Sequence, residues 1–248
     1  MTGPQPPDLT AAAIVVGNEI LSGKVVDTNA AYLAQELRKL GVALERIVVI
    51  PDDVEIIAAT VRMYRDAFDV VFTSGGVGPT HDDVTIEGVA RGLGRAVVRN
   101  EFLVGKMREF FGDALNPARL KMTETPEGAE LIFGGQLNFP TMCVENIYIL
   151  PGIPELFRDK FHAIMHRFAR APFFLRVLYT REMESTLAEF LDQTLAEFPH
   201  LQLGSYPKLN DPDYRVRVTL ESKDRDYVDR ALKHLVGLLS PESVVRTE

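Results

Sequence analysis

The segment Ser74-Gly75-Gly76-Val77-Gly78-Pro79-Thr80-His81-Asp82-Asp83 sets a phosphate-compatible loop beside two carboxylates. Glycines at 75, 76 and 78 permit positive φ and let backbone N–H groups approach an anion with no Cβ in the way. A helix starting just beyond adds its positive end, and the Thr80 hydroxyl adds a donor. Acidic side chains next to such a cradle suggest a bridging divalent cation. Two better-known phosphate loops are excluded: no Gly-Lys-Ser/Thr ending occurs, and position 81 is His where a dinucleotide fingerprint needs its third glycine. The plainer alternative is a strand-to-helix turn in which Asp82 and Asp83 serve as N-cap and first-turn acids.

Short apolar runs alternating with helical periodicity predict the elements that position this loop. Strands are expected at residues 11–16, 42–50, 69–73 and 145–150, with a short one at 130–133. Helices are expected after Asp27 or Thr28, stopped by Gly41, after Pro51-Asp52-Asp53, beyond the glycine loop, after Asn100, and from Pro154 to about Arg170. The pattern is that of an α/β layer fold with a mainly parallel sheet. Ligands of such sheets collect at the carboxyl ends of the strands. That rule groups Gly17-Asn18-Glu19, Pro51-Asp52-Asp53, the glycine loop and Leu150-Pro151-Gly152.

Candidate roles follow from residue chemistry. The N–H groups of Gly75, Gly76 and Gly78, with the Thr80 hydroxyl, are expected to hold a phosphate. Glu19, Asp52, Asp82 and Asp83 offer hard oxygen ligands suited to Mg²⁺, Mn²⁺ or Co²⁺, and Asp52, Asp82 and Asp83 form the candidate catalytic set. Asp52 could instead cap the following helix. Asn29 is a candidate for a ribose or phosphate oxygen, Lys24 for a charge partner, and Pro151 and Gly152 for the pocket wall. A lone loop histidine is more often just solvated, which leaves His81 outside the catalytic set.

Composition bounds the partners. The 248 residues carry 35 acids against 27 bases, a net charge of −8 that disfavours duplex DNA or an anionic membrane. A single cysteine, Cys143, forms no internal disulfide and reads as a buried structural thiol. Residues 1–10 read as a disordered tail, no apolar run is long enough to span a bilayer, and the expected compartment is the cytoplasm.

After Ala171-Pro172 the rhythm becomes strand, helix, strand, strand, helix, a small α+β domain over 171–248 following the layered domain of 11–170. Its βαββα order is KH-like. No Gly-x-x-Gly loop occurs, however, and from Phe173 ten bases face thirteen acids, so a structural or oligomer-forming role is expected and nucleic-acid binding is not.

Taken together, Gly17-Asn18-Glu19-Ile20-Leu21-Ser22-Gly23, Asp27-Thr28-Asn29, Pro51-Asp52, the glycine loop with Thr85, and Leu150-Pro151-Gly152-Ile153-Pro154 resemble the molybdenum-cofactor-biosynthesis (MoaB/Mog-like) domain. The likeness is closest to the N-terminal region of the CinA competence/damage-inducible proteins and to the N-terminal domain of eukaryotic FAD synthases. Leu203-Gly204-Ser205-Tyr206-Pro207 looks particularly like the latter. The resemblance implies a three-layer α/β/α domain that takes a nucleotide or pterin phosphate and assembles as a dimer or trimer. It also implies divalent-metal-dependent cleavage of a nucleotide pyrophosphate such as FAD or ADP-ribose. The alternative is a non-catalytic molybdopterin- or nucleotide-binding protein. The chain ends before a deamidase or adenylyltransferase domain could begin, so neither activity is expected. Asp82 stands where Mog proteins carry a basic residue, and an added acid beside a phosphate suits a metal better than a bare anion.

Overall fold

A computed structural model of the chain describes residues 8–134, 139–209 and 212–248. The chain divides into two units, Met1–Arg170 and Ala171–Glu248. The tail expected over 1–10 lies outside the described residues up to position 7, and Thr10 already belongs to the first strand. The connection expected over 134–140 lies outside them at 135–138.

The first unit runs β1 (Thr10–Val16), α1 (Asn18–Leu21), α2 (Asn29–Lys39), β2 (Ala43–Ile50), α3 (Val54–Ala67), β3 (Val70–Ser74), α4 (Thr85–Gly92), β4 (Val97–Arg99) and α5 (Glu101–Phe111). It continues through α6 (Pro117–Lys121), β5 (Glu124–Pro126), β6 (Glu130–Ile132), β7 (Thr141–Val144), β8 (Ile147–Leu150) and α7 (Pro154–Ile164). The main sheet has the order β2-β1-β3-β8-β7-β6. Strands β2, β1, β3 and β8 are parallel, while β7 runs antiparallel to both β8 and β6.

Strand β1 is buried on both faces, as an inner strand of a covered parallel sheet must be. Ala11 and Ala13 pack with Leu33 and Leu37 of α2 and Phe157 and Phe161 of α7. Ala12, Ile14 and Val16 pack on the other side with Ile57 and Val61 of α3, Val89 of α4 and Leu103 of α5. Period-two alternation thus feeds two cores, and the result is three layers.

Helix starts follow cap chemistry. Asp53 accepts from the N–H groups of Glu55 and Ile56, Asn100 from those of Phe102 and Leu103, and Asp27 from that of Asn29 at 2.9 Å. Helix α7 stops at Ile164 and passes into a 3₁₀ turn, Met165–Arg167, short of the expected Arg170.

The second unit comprises β9 (Phe174–Thr180), α8 (Glu184–Glu197), β10 (Gln202–Pro207), β11 (Val216–Ser222), α9 (Arg225–Leu238) and β12 (Val244–Thr247). Its antiparallel sheet has the order β10-β11-β9-β12. The added strand corrects the KH-like βαββα expectation to βαββαβ, a split βαβ arrangement. Four residues, none of them fully buried, gave β12 no readable alternation. Leu178, Val218 and Leu220 of the sheet bury against Leu187 of α8 and Val228 and Leu235 of α9.

Candidate active site

Four parallel strands end side by side: Val16 pairs with Ile50, Val15 with Ser74, and Ser74 with Leu150. The ladder extends one residue further, through Gly17 N–H to the Ile50 carbonyl (3.1 Å) and Gly75 N–H to the Leu150 carbonyl (3.2 Å). All four loops grouped from the sequence therefore open at one sheet edge.

Backbone shape in the glycine loop is set by its neighbours. Gly75 has φ 103° and Gly76 φ 65°, where side chains are disfavoured. A Cβ on Gly75 would fall 2.2 Å from the Val16 carbonyl oxygen, and one on Gly76 2.3 Å from Thr85 Oγ1. The buried Thr85 locks this shape by donating its N–H to Gly76 O (2.9 Å) and its hydroxyl to Gly75 O (2.8 Å).

Two expectations need correction. The Gly75 N–H is occupied by Leu150, so Gly75 shapes the loop and does not donate to an anion. The Thr80 hydroxyl and N–H both donate to Asp83 Oδ2, the latter at 2.8 Å, so neither is turned to a ligand. The N–H groups of Gly76 and Gly78 donate to no acceptor among the described residues and remain the loop's available donors.

The carboxylates separate into different tasks. Glu19, Asp52 and Asp82 line one cleft of about 570 Å³ together with Lys24. Asp52 does not cap α3, a task that falls to Asp53. Instead its Oδ2 accepts the Asn18 N–H at 2.7 Å, fixing the loop after β1 and leaving Oδ1 for the cleft. Asp83 turns away, into the Thr80 contacts, and lines a second cleft with His81. Hydrogen bonding at Thr80 and at its own N–H, reinforced by His81 and Lys121, holds the Asp82 carboxyl below the usual carboxylate range. The Thr80 hydroxyl has one proton, which it donates to Asp83. His81 is almost fully exposed, 3.8 Å from Asp82.

Asn29 is also corrected. It is 4% exposed and donates Nδ2 to Ser74 Oγ (3.0 Å) and to the Gly152 carbonyl (2.8 Å), so its amide braces the strand ends and has no proton left for a phosphate oxygen, while Oδ1 has no partner among the described residues. Pro151 is buried, and a Cβ on Gly152 would lie 3.3 Å from Gly75 Cα, so this turn forms the wall against the glycine loop. Cys143 is buried in β7, and burial pushes its thiol above the usual range, which suits a structural residue. Lys121, absent from the sequence reading, donates to the Thr80 carbonyl and tethers the 79–83 turn.

Among the described residues no three His, Cys, Asp or Glu side chains converge closely enough to hold a metal ion alone. That donor set does not fit a closed structural site. An ion of the Mg²⁺ type would need only one or two of these carboxylates, with water and ligand phosphates completing its shell.

A three-layer arrangement around a mainly parallel sheet, whose carboxyl edge carries a glycine loop and an acidic cleft, defines a layered α/β domain. Residues 12–171 match the model of the probable molybdopterin binding domain, and the chain belongs to that family. Residues 172–248 match the model of the FAD synthase middle domain. A protein of Archaeoglobus fulgidus is 36% identical over 227 residues, covering 92% of this chain and 96% of that one. A probable FAD synthase of Caenorhabditis elegans is 33% identical over 93% of this chain, which spans 50% of that protein's length. The crystal structure of CinA from Thermoplasma acidophilum, a protein of unknown function, superposes with a TM-score of 0.59 at 33% identity, covering 64% of this chain and 99% of that one. The family and fold expected from the motifs are those found. Among the described residues no helix is long and apolar enough to cross a membrane.

Proposed function

We propose that this protein is a divalent-metal-dependent nucleotide pyrophosphatase that cleaves a dinucleoside-type diphosphate, FAD or ADP-ribose, into AMP and the partner monophosphate. The observation that carries the reading is that Glu19, Asp52 and Asp82 line one cleft at the carboxyl edge of the sheet that also carries the glycine loop. Hydrolysis adds water across the P–O–P bond, and the bridging oxygen leaves with one phosphate. One or two of the cleft carboxylates Glu19, Asp52 and Asp82 would hold the ion, which when bound would neutralise the diphosphate and acidify a water. Gly76 and Gly78 direct their N–H groups to a phosphate oxygen, and Lys24 adds a positive charge at the rim of the acidic cleft. Asp82, held below the usual range, stays ionised well into mild acid. The similarity to a probable FAD synthase supports a flavin nucleotide as one candidate substrate. Assembly as a dimer or trimer is part of the proposal and is measured by light scattering.

The test is chromatography of products from FAD and from ADP-ribose with Mg²⁺, Mn²⁺, Co²⁺ or EDTA. Metal-dependent AMP release supports the reading. Absence of AMP under every condition overturns it in favour of a non-catalytic nucleotide- or pterin-binding protein, a second reading favoured by the lack of three convergent ligands.

A further inference from the structure

The turn at residues 79–83 is a septum. Asp82 lines the acidic cleft on one side, whereas His81 and Asp83 line a separate cavity of about 740 Å³ on the other. This second cavity is built by elements the acidic cleft does not use: α4, the antiparallel β4–β5 pair and the end of α6. Its size falls in the range of small-molecule sites, and its lining mixes apolar side chains with seven charged ones, four bases and three acids.

The charges are unequally satisfied. Arg91 is neutralised by Glu55 and Glu87, and Arg95 by Glu145 with the Glu127 carbonyl. Lys121 donates to the Thr80 carbonyl and its charge acts on Asp82 across the turn, with two of its N–H donors still available. The Arg99 side chain is exposed and forms no hydrogen bond or ion pair among the described residues, although Glu124 is its register partner on β5. Val84, Ile86, Val97 and Met122 supply apolar surface between these cations and the glycine loop, and Val97 is 38% exposed for lack of anything covering it. Gly78, one of the loop's available donors, lines the same cavity.

From this arrangement we infer that the second cavity seats one half of the ligand, a planar heteroaromatic ring carrying a phosphate, with the ring over Val97 and Met122 and the anion met by Arg99 and Lys121. The inference rests on the diphosphate reading above and extends it. The diphosphate crosses the glycine loop, one arm enters the acidic cleft and the other crosses the septum. Flat rings gain from apolar contact and from guanidinium stacking, and charge-assisted hydrogen bonds fix the phosphate. Both AMP and FMN present this chemistry.

Isothermal titration of the full chain with AMP, with FMN and with inorganic phosphate, all in EDTA, tests the inference. Wild type is expected to bind at least one mononucleotide more tightly than phosphate, and the mononucleotide bound identifies which half of the ligand sits there. Arg99→Glu and Val97→Glu should each weaken that binding tenfold or more, with unchanged circular dichroism; Arg99→Ala, a smaller change at an exposed position, is the control against misfolding and should weaken it less. No mononucleotide binding without metal, binding no tighter than phosphate, or wild-type affinity in both glutamate variants overturns the inference. Because the titration involves neither metal nor turnover, a protein that binds AMP or FMN but releases no product overturns the pyrophosphatase reading alone. Cleavage of FAD or ADP-ribose with KM unchanged in Arg99→Glu overturns this inference alone.

Discussion

The side-chain amide of Asn29 donates to the Gly152 carbonyl at 2.8 Å, joining the start of α2 to the loop after β8 across 123 positions of sequence. The same nitrogen reaches Ser74 Oγ at 3.0 Å, so one buried side chain ties three strand-end loops together. Replacing Asn29 by Leu leaves the Gly152 carbonyl and the Ser74 hydroxyl without their donor. The expected cost is about 1–3 kcal/mol in urea unfolding, the desolvation cost of an unpaired buried polar group. A midpoint equal to wild type would show that the brace contributes nothing.

Neighbouring acids should separate by phenotype. Asp82→Asn removes a cleft carboxylate that is 59% exposed, so AMP release is expected to fall about a hundredfold or more while the melting temperature stays within about 2 °C. Asp83→Ala instead removes the acceptor of two Thr80 donors and is expected to cost about 1–2 kcal/mol of stability. Equal melting temperatures for the two variants would contradict the division of labour between them.

Gly75→Ala and Gly23→Ala both place a Cβ at positive φ, but only the former meets an obstacle. At Gly75 the Cβ falls 2.2 Å from the Val16 carbonyl oxygen, whereas at Gly23 nothing lies within 4 Å. The Gly75 substitution is expected to destabilise by about 2 kcal/mol or more and the Gly23 substitution by about 1 kcal/mol. Chemical denaturation of the two variants measures the difference.

Lys160 supplies a pH test. It is buried in α7, donates to the carbonyls of Phe139 (2.7 Å) and Pro140 (2.8 Å), and burial lowers its pKa to about 8. Between pH 8 and the ordinary lysine value of about 10.5, the unfolded chain binds a proton that the folded chain has released. Stability therefore rises with pH across that window, because the unfolded state binds more protons. Lys160→Met should flatten this contribution. A wild-type unfolding free energy that shows no Lys160-dependent rise between pH 8 and 10 would contradict it.

Much of the layered architecture was legible because β1 through α5 obey strong local rules. Strand β1 is an unbroken apolar run, and Asp53, Asn100 and Gly41 mark helix ends by their own chemistry. The elements that escaped notice are short. Strands β4 and β5 have three residues each, and all three of β4 are exposed, so no period exists to read. The second cavity was invisible for the same reason, since Arg99 and Lys121 reach it from such elements. Residue type also under-determined role: Asp52 and Asp53 are chemically identical neighbours, and only the backbone decides which one caps α3 and which enters the cleft. Asn29 is by residue type a candidate for a ribose or phosphate oxygen, and only the fold shows that both its amide protons are committed internally while Oδ1 has no partner among the described residues.

The interlock of Gly75 with Val16 and Gly76 with Thr85 bears on how proteins built this way can diversify. Each glycine is flanked by an atom that a methyl group would strike, and one of those atoms is main chain that no substitution removes. A lineage exploring new ligands is thus barred from retooling the loop and is left with its surroundings. Novelty is expected to accumulate in the short strand and helix that carry Arg99 and Lys121, where exposed side chains can be exchanged at little cost to folding.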